Sequence, residues 1–155
     1  MSASDAGPLA RIEEEIAAVK TLLRLVETEQ LALLRPVDAD ELHGLTAQKM
    51  EAVGRIGDLT RLRHAALSQG GYRADETGMR DWVADAPDRS AHERWEFLLS
   101  MSGKVKALNQ MNGRLIAKLM HQNQTILGVF GMAAKGMGLY GADGRPQGFG
   151  AGRLK

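Results

Sequence analysis

The sequence predicts an all-α protein: an antiparallel helical hairpin plus a long third helix, forming an elongated three-helix coiled-coil-like bundle. Apolar residues recur in alternating steps of three and four in each periodic segment, and no segment alternates by two. Aromatic residues make up only 5% of the chain, which leaves a composition that favours helices over sheets. The last 20 residues contain seven glycines and lack helical spacing. We therefore expect one helical domain over residues 1–135 and a flexible glycine-rich C-terminal tail over residues 136–155.

The first helix is predicted over residues 8–34. Pro8 suits a first helical position because its missing N–H would have no intrahelical partner there. Three consecutive helical residues fan out over about 200°, so Glu13, Glu14 and Glu15 are expected to form a solvated turn near the helix start and not an acidic site. The apolar positions with the three-four spacing are Leu9, Ile12, Ile16, Val19, Leu23, Val26 and Leu33.

A second helix is predicted over residues 39–68. Pro36 cannot continue the first helix, and Asp38 with Glu41 has the spacing of a capping box. Gly70 and Gly71 end the pattern. Because the turn between the two helices is short, they should be antiparallel neighbours.

The third helix is predicted over residues 91–132, after a crossing loop at residues 72–89 that has room for a short helical turn at MRDWV. Ser90 and Glu93 have capping-box spacing. Such a helix would be about 60 Å long, against about 40 Å for each hairpin arm. It should therefore extend beyond its partners.

Three asparagines occupy apolar positions of the third helix: Asn109, Asn112 and Asn123. One interpretation is that they fix helix pairing by hydrogen bonding inside the bundle. The other is that they face the backbone of a bound partner.

No pattern in the chain predicts enzyme activity, a metal site or a cofactor. The chain has no cysteine, and its four histidines lack a second ligand at metal-binding spacing. The N-terminus lacks a signal-peptide pattern, and the longest mostly apolar stretch is far below the ~18 residues of a membrane span. We expect a cytoplasmic protein without stable membrane insertion.

Charge and apolar residues divide unevenly along the chain. Residues 1–100 carry 12 Lys and Arg against 18 Asp and Glu, whereas residues 101–155 carry 8 against 1. The third helix also has more apolar residues than one narrow contact stripe needs. We expect a partner helix to bind these residues, with core packing or self-association, including a homodimer, as the alternative. The candidate binding residues are Leu115, Leu119, Met120, Ile126, Leu127 and Phe130.

Four segments of the second half carry a resemblance to a known family. They are HERW at 92–95, LNQMNGRLI at 108–116, HQNQTIL at 121–127 and LYGADG at 139–144. In this order they resemble the C-terminal half of the FlgN flagellar chaperones. The first 70 residues resemble that family only in their hairpin pattern.

The resemblance implies a cytoplasmic export chaperone. It implies binding to the C-terminal helical regions of the two hook-filament junction proteins, and docking on the cytoplasmic domain of the export-gate protein FlhA. The client-binding region would be the later part of the third helix, and Leu139 and Tyr140 would dock on the gate. Two other classes stay open: a structural coiled-coil adaptor and a basic-tailed nucleic-acid-binding protein. We expect no nucleic-acid partner, since no recognition fold is visible.

Overall fold

The computed structural model describes residues 7–122, which form four α-helices and no strand within that range. The helices are α1 (Pro8–Leu33), α2 (Ala39–Gln69), α3 (Glu76–Asp85) and α4 (Arg89–Gln122). The predicted all-α class is confirmed, as are the two arms of the hairpin. The predicted end of the third helix near residue 132 and the glycine-rich tail lie outside the described residues.

The long helices are arranged around α1, which packs closely against both α2 and α4. Near the start of α1, Arg94 Nε lies 2.9 Å from Glu13 Oε1. Near its other end, Asn112 Nδ2 donates to the carbonyl of Val26 at 2.9 Å. These contacts show that α4 runs parallel to α1, whereas α2 runs antiparallel to both.

Local sequence explains the ends of the hairpin arms. Pro8 begins α1 at a first-turn position. The Asp38 carboxylate accepts from the backbone N–H groups of Asp40 and Glu41 at 3.0 and 3.2 Å, which caps α2. At the far end Gly70 caps α2, and Gly71 takes a left-handed φ of +86°. Glycine adopts that conformation without steric cost, so the chain can turn sharply there.

The crossing segment is a ten-residue helix, α3, and not the predicted loop with a single turn at residues 79–83. Asp75 caps it by accepting from Gly78 N–H at 2.8 Å. Met79 and Val83 are four residues apart, so they share one face and bury it against the main core. This burial turns a glycine-containing, charge-rich segment into a helix.

The predicted capping box of Ser90 and Glu93 is wrong. Helix α4 begins at Arg89, and Asp88 caps it by accepting from Ser90 N–H at 2.9 Å. Glu93 lies one turn into the helix and pairs with Arg89 at 3.4 Å. The aspartate two residues upstream displaces serine from the capping position because its carboxylate reaches the same free N–H groups.

The interior has two apolar clusters. The larger fills the middle of the bundle and the end that α3 covers, and it includes Ile12, Val26, Val53, Met79, Trp95 and Val105. The smaller lies where the hairpin turns, and its buried members are Ala32, Leu33, Leu42, Leu45 and Ile116. Among residues 7–122 no helix has the length and apolar character that crossing a membrane requires.

Candidate functional site

A buried polar layer joins the three long helices near the hairpin turn. Glu29 of α1 is only 2% exposed, and Lys49 Nζ of α2 lies 2.9 and 3.1 Å from its two carboxylate oxygens. The same ammonium donates to Asn109 Oδ1 of α4 at 2.8 Å. Asn112, which is fully buried, donates from Nδ2 to Glu29 Oε1 at 2.9 Å. We call these four residues the Glu29 layer.

The Glu29 layer fixes how the helices align. A shift of any one helix by a turn would leave a charge or an amide without its partner in the interior, which is costly. Asn109 and Asn112 thus hydrogen-bond inside the bundle, as the first of the two interpretations of these asparagines predicted. Asn123 lies outside the described residues.

A second buried layer lies toward the opposite end of the bundle. Glu15 and Arg63 are each 3% exposed, and Arg63 Nε donates to Glu15 Oε1 at 2.6 Å. Arg63 also contacts Glu76 of α3 at 3.3 Å, and its guanidinium lies 4.9 Å from the centre of the Trp95 ring. Thr60 completes this Glu15 layer by donating to the Glu15 carboxylate at 3.4 Å. The layer therefore ties all four helices together.

The expectation that Glu15 belongs to a solvated turn is wrong. Its neighbours Glu13 and Glu14 are exposed, but Glu15 lies three residues after Ile12 and four before Val19, so it shares the buried side of α1 with them. Burial raises the pKa of the Glu15 carboxyl above its ordinary value of 4.5, and the charge of Arg63 opposes that rise. The three glutamates do point in different directions, as predicted, but the third of them points into the bundle.

The predicted binding residues on α4 lie at the turn end of the bundle. Leu115, Leu119 and Met120 are partly buried and pack against the smaller apolar cluster. The expected overhang therefore does not begin at Leu115. Helix α4 starts at the same end as α1, so its residue Ile116 packs in one cluster with Leu33, and the hairpin turn covers the next turn of α4.

The other predicted site residues are not described by the structure. Ile126, Leu127 and Phe130 of the expected client-binding set lie outside residues 7–122, as do Leu139 and Tyr140. Their roles stay predictions. The first three of them follow the described part of α4 by four to eight residues in the sequence.

An apolar surface runs along the outer boundary between α1 and α4. We call it the α1–α4 face, and its members are Leu31, Leu34, Phe97, Leu108, Met111 and Leu115. Leu31 and Leu34 are each 66% exposed and Met111 is 48% exposed. Gln30 Nε2 donates to Met111 Sδ at 3.1 Å, which places the end of α1 beside this part of α4.

The sequence alone identified only Leu115 of this face. Phe97, Lys104, Leu108, Met111 and Leu115 follow each other on α4 at intervals of three, four or seven residues, which puts them on one side of the helix. Leu31 and Leu34 lie at the end of α1, and Leu31 falls outside its heptad pattern. The sequence does not show that these two leucines are exposed, and a leucine is more often buried.

The α1–α4 face has a positive border. From Phe97 to Gln122 the helix α4 contains four cationic side chains and no aspartate or glutamate. Of these, Lys104, Arg114 and Lys118 are exposed and form no salt bridge within residues 7–122. In the same range no group of acidic, histidine or cysteine side chains is arranged to hold a metal ion.

Fold and surface together define a class of protein. A bundle fixed by two buried polar layers, with an exposed apolar and cationic face along one helix pair, is suited to binding another protein.

Comparison with known proteins identifies the family. The model of the family described as FlgN protein matches residues 1–148, and the chain belongs to the FlgN family. It is 26% identical over 137 residues to the flagella synthesis protein FlgN of Proteus mirabilis, covering 88% of this chain and 87% of that protein.

A solved structure has the same fold. The crystal structure of a protein described as a flagella synthesis protein FlgN, from Pseudomonas aeruginosa, superposes with a TM-score of 0.58 at 22% identity. The superposition covers 83% of this chain and 94% of the other. The likeness supports the helical-bundle architecture.

Proposed function

We propose that this chain is a cytoplasmic, non-enzymatic flagellar export chaperone that holds the hook-filament junction proteins, prevents their premature assembly and delivers them to the export gate. The family match supports the export-chaperone role. The observation that carries the holding step is the apolar, cationic side of α4, which leads toward Ile126 and Phe130.

In this proposal the client binds through the later part of α4 and the residues that follow it. Leu115, Leu119 and Met120 supply the first contacts, and their partial burial leaves surface for a client helix. Ile126, Leu127 and Phe130 continue the same apolar series at helical spacing. Such a series suits the C-terminal helical region of a junction protein.

Delivery is assigned to the tail motif LYGADG at residues 139–144. Tyr140 and Leu139 would dock on the cytoplasmic domain of FlhA, since an aromatic ring with an apolar neighbour is a typical anchor in a small interface. An anchor that is separate in sequence from the client-binding residues lets one chain hold its client and contact the gate together.

The holding step is tested with Ile126→Asp and a matched control, Leu62→Asp. Ile126→Asp places a charge among the proposed client contacts, so junction-protein binding should be lost in a calorimetric titration. Leu62 is an exposed leucine of α2, and its aspartate variant should bind like the wild type. Equal binding by both variants would exclude Ile126 from the client site.

The delivery step is tested with Tyr140→Ala. Removing an aromatic anchor costs about 2 kcal/mol or more, about thirtyfold in affinity. Affinity of the client-loaded chain for the FlhA cytoplasmic domain should fall by that factor, while affinity for the junction protein alone stays unchanged. Equal loss in both titrations would assign Tyr140 to the client site, and no loss in either would remove its docking role.

The structural-adaptor alternative is separated by deleting residues 136–155. An adaptor without a delivery step would keep its activity after this deletion. The proposed chaperone would still bind junction proteins but would fail to support their export in a flagellated cell.

A further inference from the structure

We propose that the α1–α4 face binds an acidic amphipathic helix of the partner, so that the end of α1 forms one wall of the binding site. The proposal rests on the proposed function, in which this helix belongs to the C-terminal region of the client. It adds to the site Leu31 of α1 and Leu34, which directly follows α1, and it specifies the charge of the helix that the site binds.

The geometry of the face fits a helix. On α4 its residues follow one side of the helix from Phe97 to Lys118, a distance of about 30 Å at 1.5 Å per residue. A partner helix of about 20 residues spans that length and presents apolar residues at the matching intervals. Gln30 donates to Met111, so the end of α1 that carries the exposed Leu31 and Leu34 lies beside this part of α4 and is placed to contact the same partner.

The apolar residues of this face are not needed to complete the bundle. The polar groups that connect α1 to α4 turn inward, where Asn112 meets Val26 and Glu29. Leu31 and Leu34 stay two-thirds exposed although the apolar core is complete beside them at Ala32 and Leu33. Large apolar side chains exposed at neighbouring ends of a helix pair are characteristic of a surface that another protein covers.

The charge of the border selects an acidic partner. Lys104 and Lys118 lie on the side of α4 that carries Leu108, Met111 and Leu115, and Arg114 lies next to them. Lys20 and Arg24 are exposed on α1, with Glu27 as the exposed acid of that part of the helix. Glu96, which directly precedes Phe97, is also exposed. Five cations against these two acids favour a helix that carries carboxylates on both sides of its apolar stripe, and oppose a basic one.

The test uses the full chain and two synthetic helical peptides of about 20 residues with an identical leucine stripe. One peptide has glutamate at the flanking positions, and the other has lysine at the same positions. By fluorescence anisotropy the glutamate peptide should bind at least about tenfold tighter at low salt, and the difference should shrink as salt is added. Equal affinity, or tighter binding of the lysine peptide, would overturn the proposal.

Two sets of variants locate the site. The pair Lys104→Glu and Lys118→Glu should reverse the preference between the peptides, whereas Arg55→Glu, an exposed cation on α2, should leave it unchanged. Leu31→Ser with Leu34→Ser should weaken both peptides about tenfold without lowering the melting temperature. If the serine substitutions leave the affinity for both peptides unchanged, the end of α1 is not part of the site.

The inference and the proposed function fail in different ways. If the chain binds a junction protein and the serine substitutions do not weaken that complex, the inference is wrong and the proposed function stands. If the glutamate peptide binds at this face but no junction protein binds the chain, the α1–α4 face still binds an acidic helix and the proposed client is wrong.

Discussion

Replacing Lys49 by methionine should destabilise the bundle far more than breaking an ion pair on its surface. The Lys49 side chain is 12% exposed, and it supplies the ammonium that meets both carboxylate oxygens of Glu29 and Oδ1 of Asn109. Methionine has a similar length but no donor, so Glu29 would stay in the interior with only Asn112 as a partner. Removing one member of a buried ion pair costs about 3–5 kcal/mol.

The assay is urea unfolding followed by circular dichroism, with Arg61→Ala as the matched control. Arg61 pairs with Asp58 on the surface of the same helix, and both side chains are exposed. Loss of such a pair costs about 0–1 kcal/mol. Lys49→Met should also lower the melting temperature by about 10 °C, given about 2–4 °C for each kcal/mol in a chain of this size.

The double variant Glu29→Met with Lys49→Met separates charge burial from packing. With both charges removed, no unpaired ion remains, so most of the lost stability should return. A Lys49→Met chain that unfolds at the urea concentration of the Arg61→Ala control would refute the reasoning, because it would mean that Glu29 is not held in the interior.

Three further predictions concern the core and the helix ends. Ile16→Asp should unfold the hairpin, seen as loss of helical circular dichroism, because it buries an unpaired charge; Leu31→Asp, at an exposed position, should not. Asp75→Ala should lower the melting temperature at neutral pH by removing the α3 cap, and capping holds the pKa of this carboxyl below its ordinary value of 3.8. That stabilisation is present above pH 3.8 and is lost as pH falls further, so the deficit measured against wild type should shrink in acid. Gly78→Ala should cost about 1–3 kcal/mol in chemical denaturation because its Cβ would lie 1.8 Å from a backbone oxygen, whereas Gly103→Ala, in open space within α4, should stabilise by about 0.5–1 kcal/mol.

The helices were predictable because their evidence is local. Pro36, the Asp38 cap and Gly70 mark boundaries within a few residues of where they act, and the hairpin bounds agree with the structure to within one residue. Helix α3 was predicted only as a short turn within a loop because its stability is not local. Its ten residues form a helix by burying Met79 and Val83 against helices that are distant in sequence.

The two buried polar layers could not be predicted from the spacing of apolar residues. Glu15 and Glu29 occupy inward positions that a heptad pattern assigns to apolar residues, so the sequence gives no reason to pair them. Their partners Arg63 and Lys49 lie 48 and 20 residues away. Only the antiparallel packing of α1 on α2 brings them together. The α1–α4 face was missed for a related reason, since exposure depends on how the helices pack.

The two buried polar layers bear on how a protein made of helices could bind other helices without one of its own helices being replaced. If the proposed clients present amphipathic helices, a bundle with a uniformly leucine-like interior could exchange one of its own helices for a client's. An incoming helix that replaced α4 would have to supply an amide at the position of Asn112 and an acceptor for Lys49, and one that replaced α2 would leave Glu15 and Glu29 without cations. The buried polar groups would therefore exclude a client helix from the interior of the bundle. A client bound as proposed would stay on the outer surface and could be released without unfolding the chaperone.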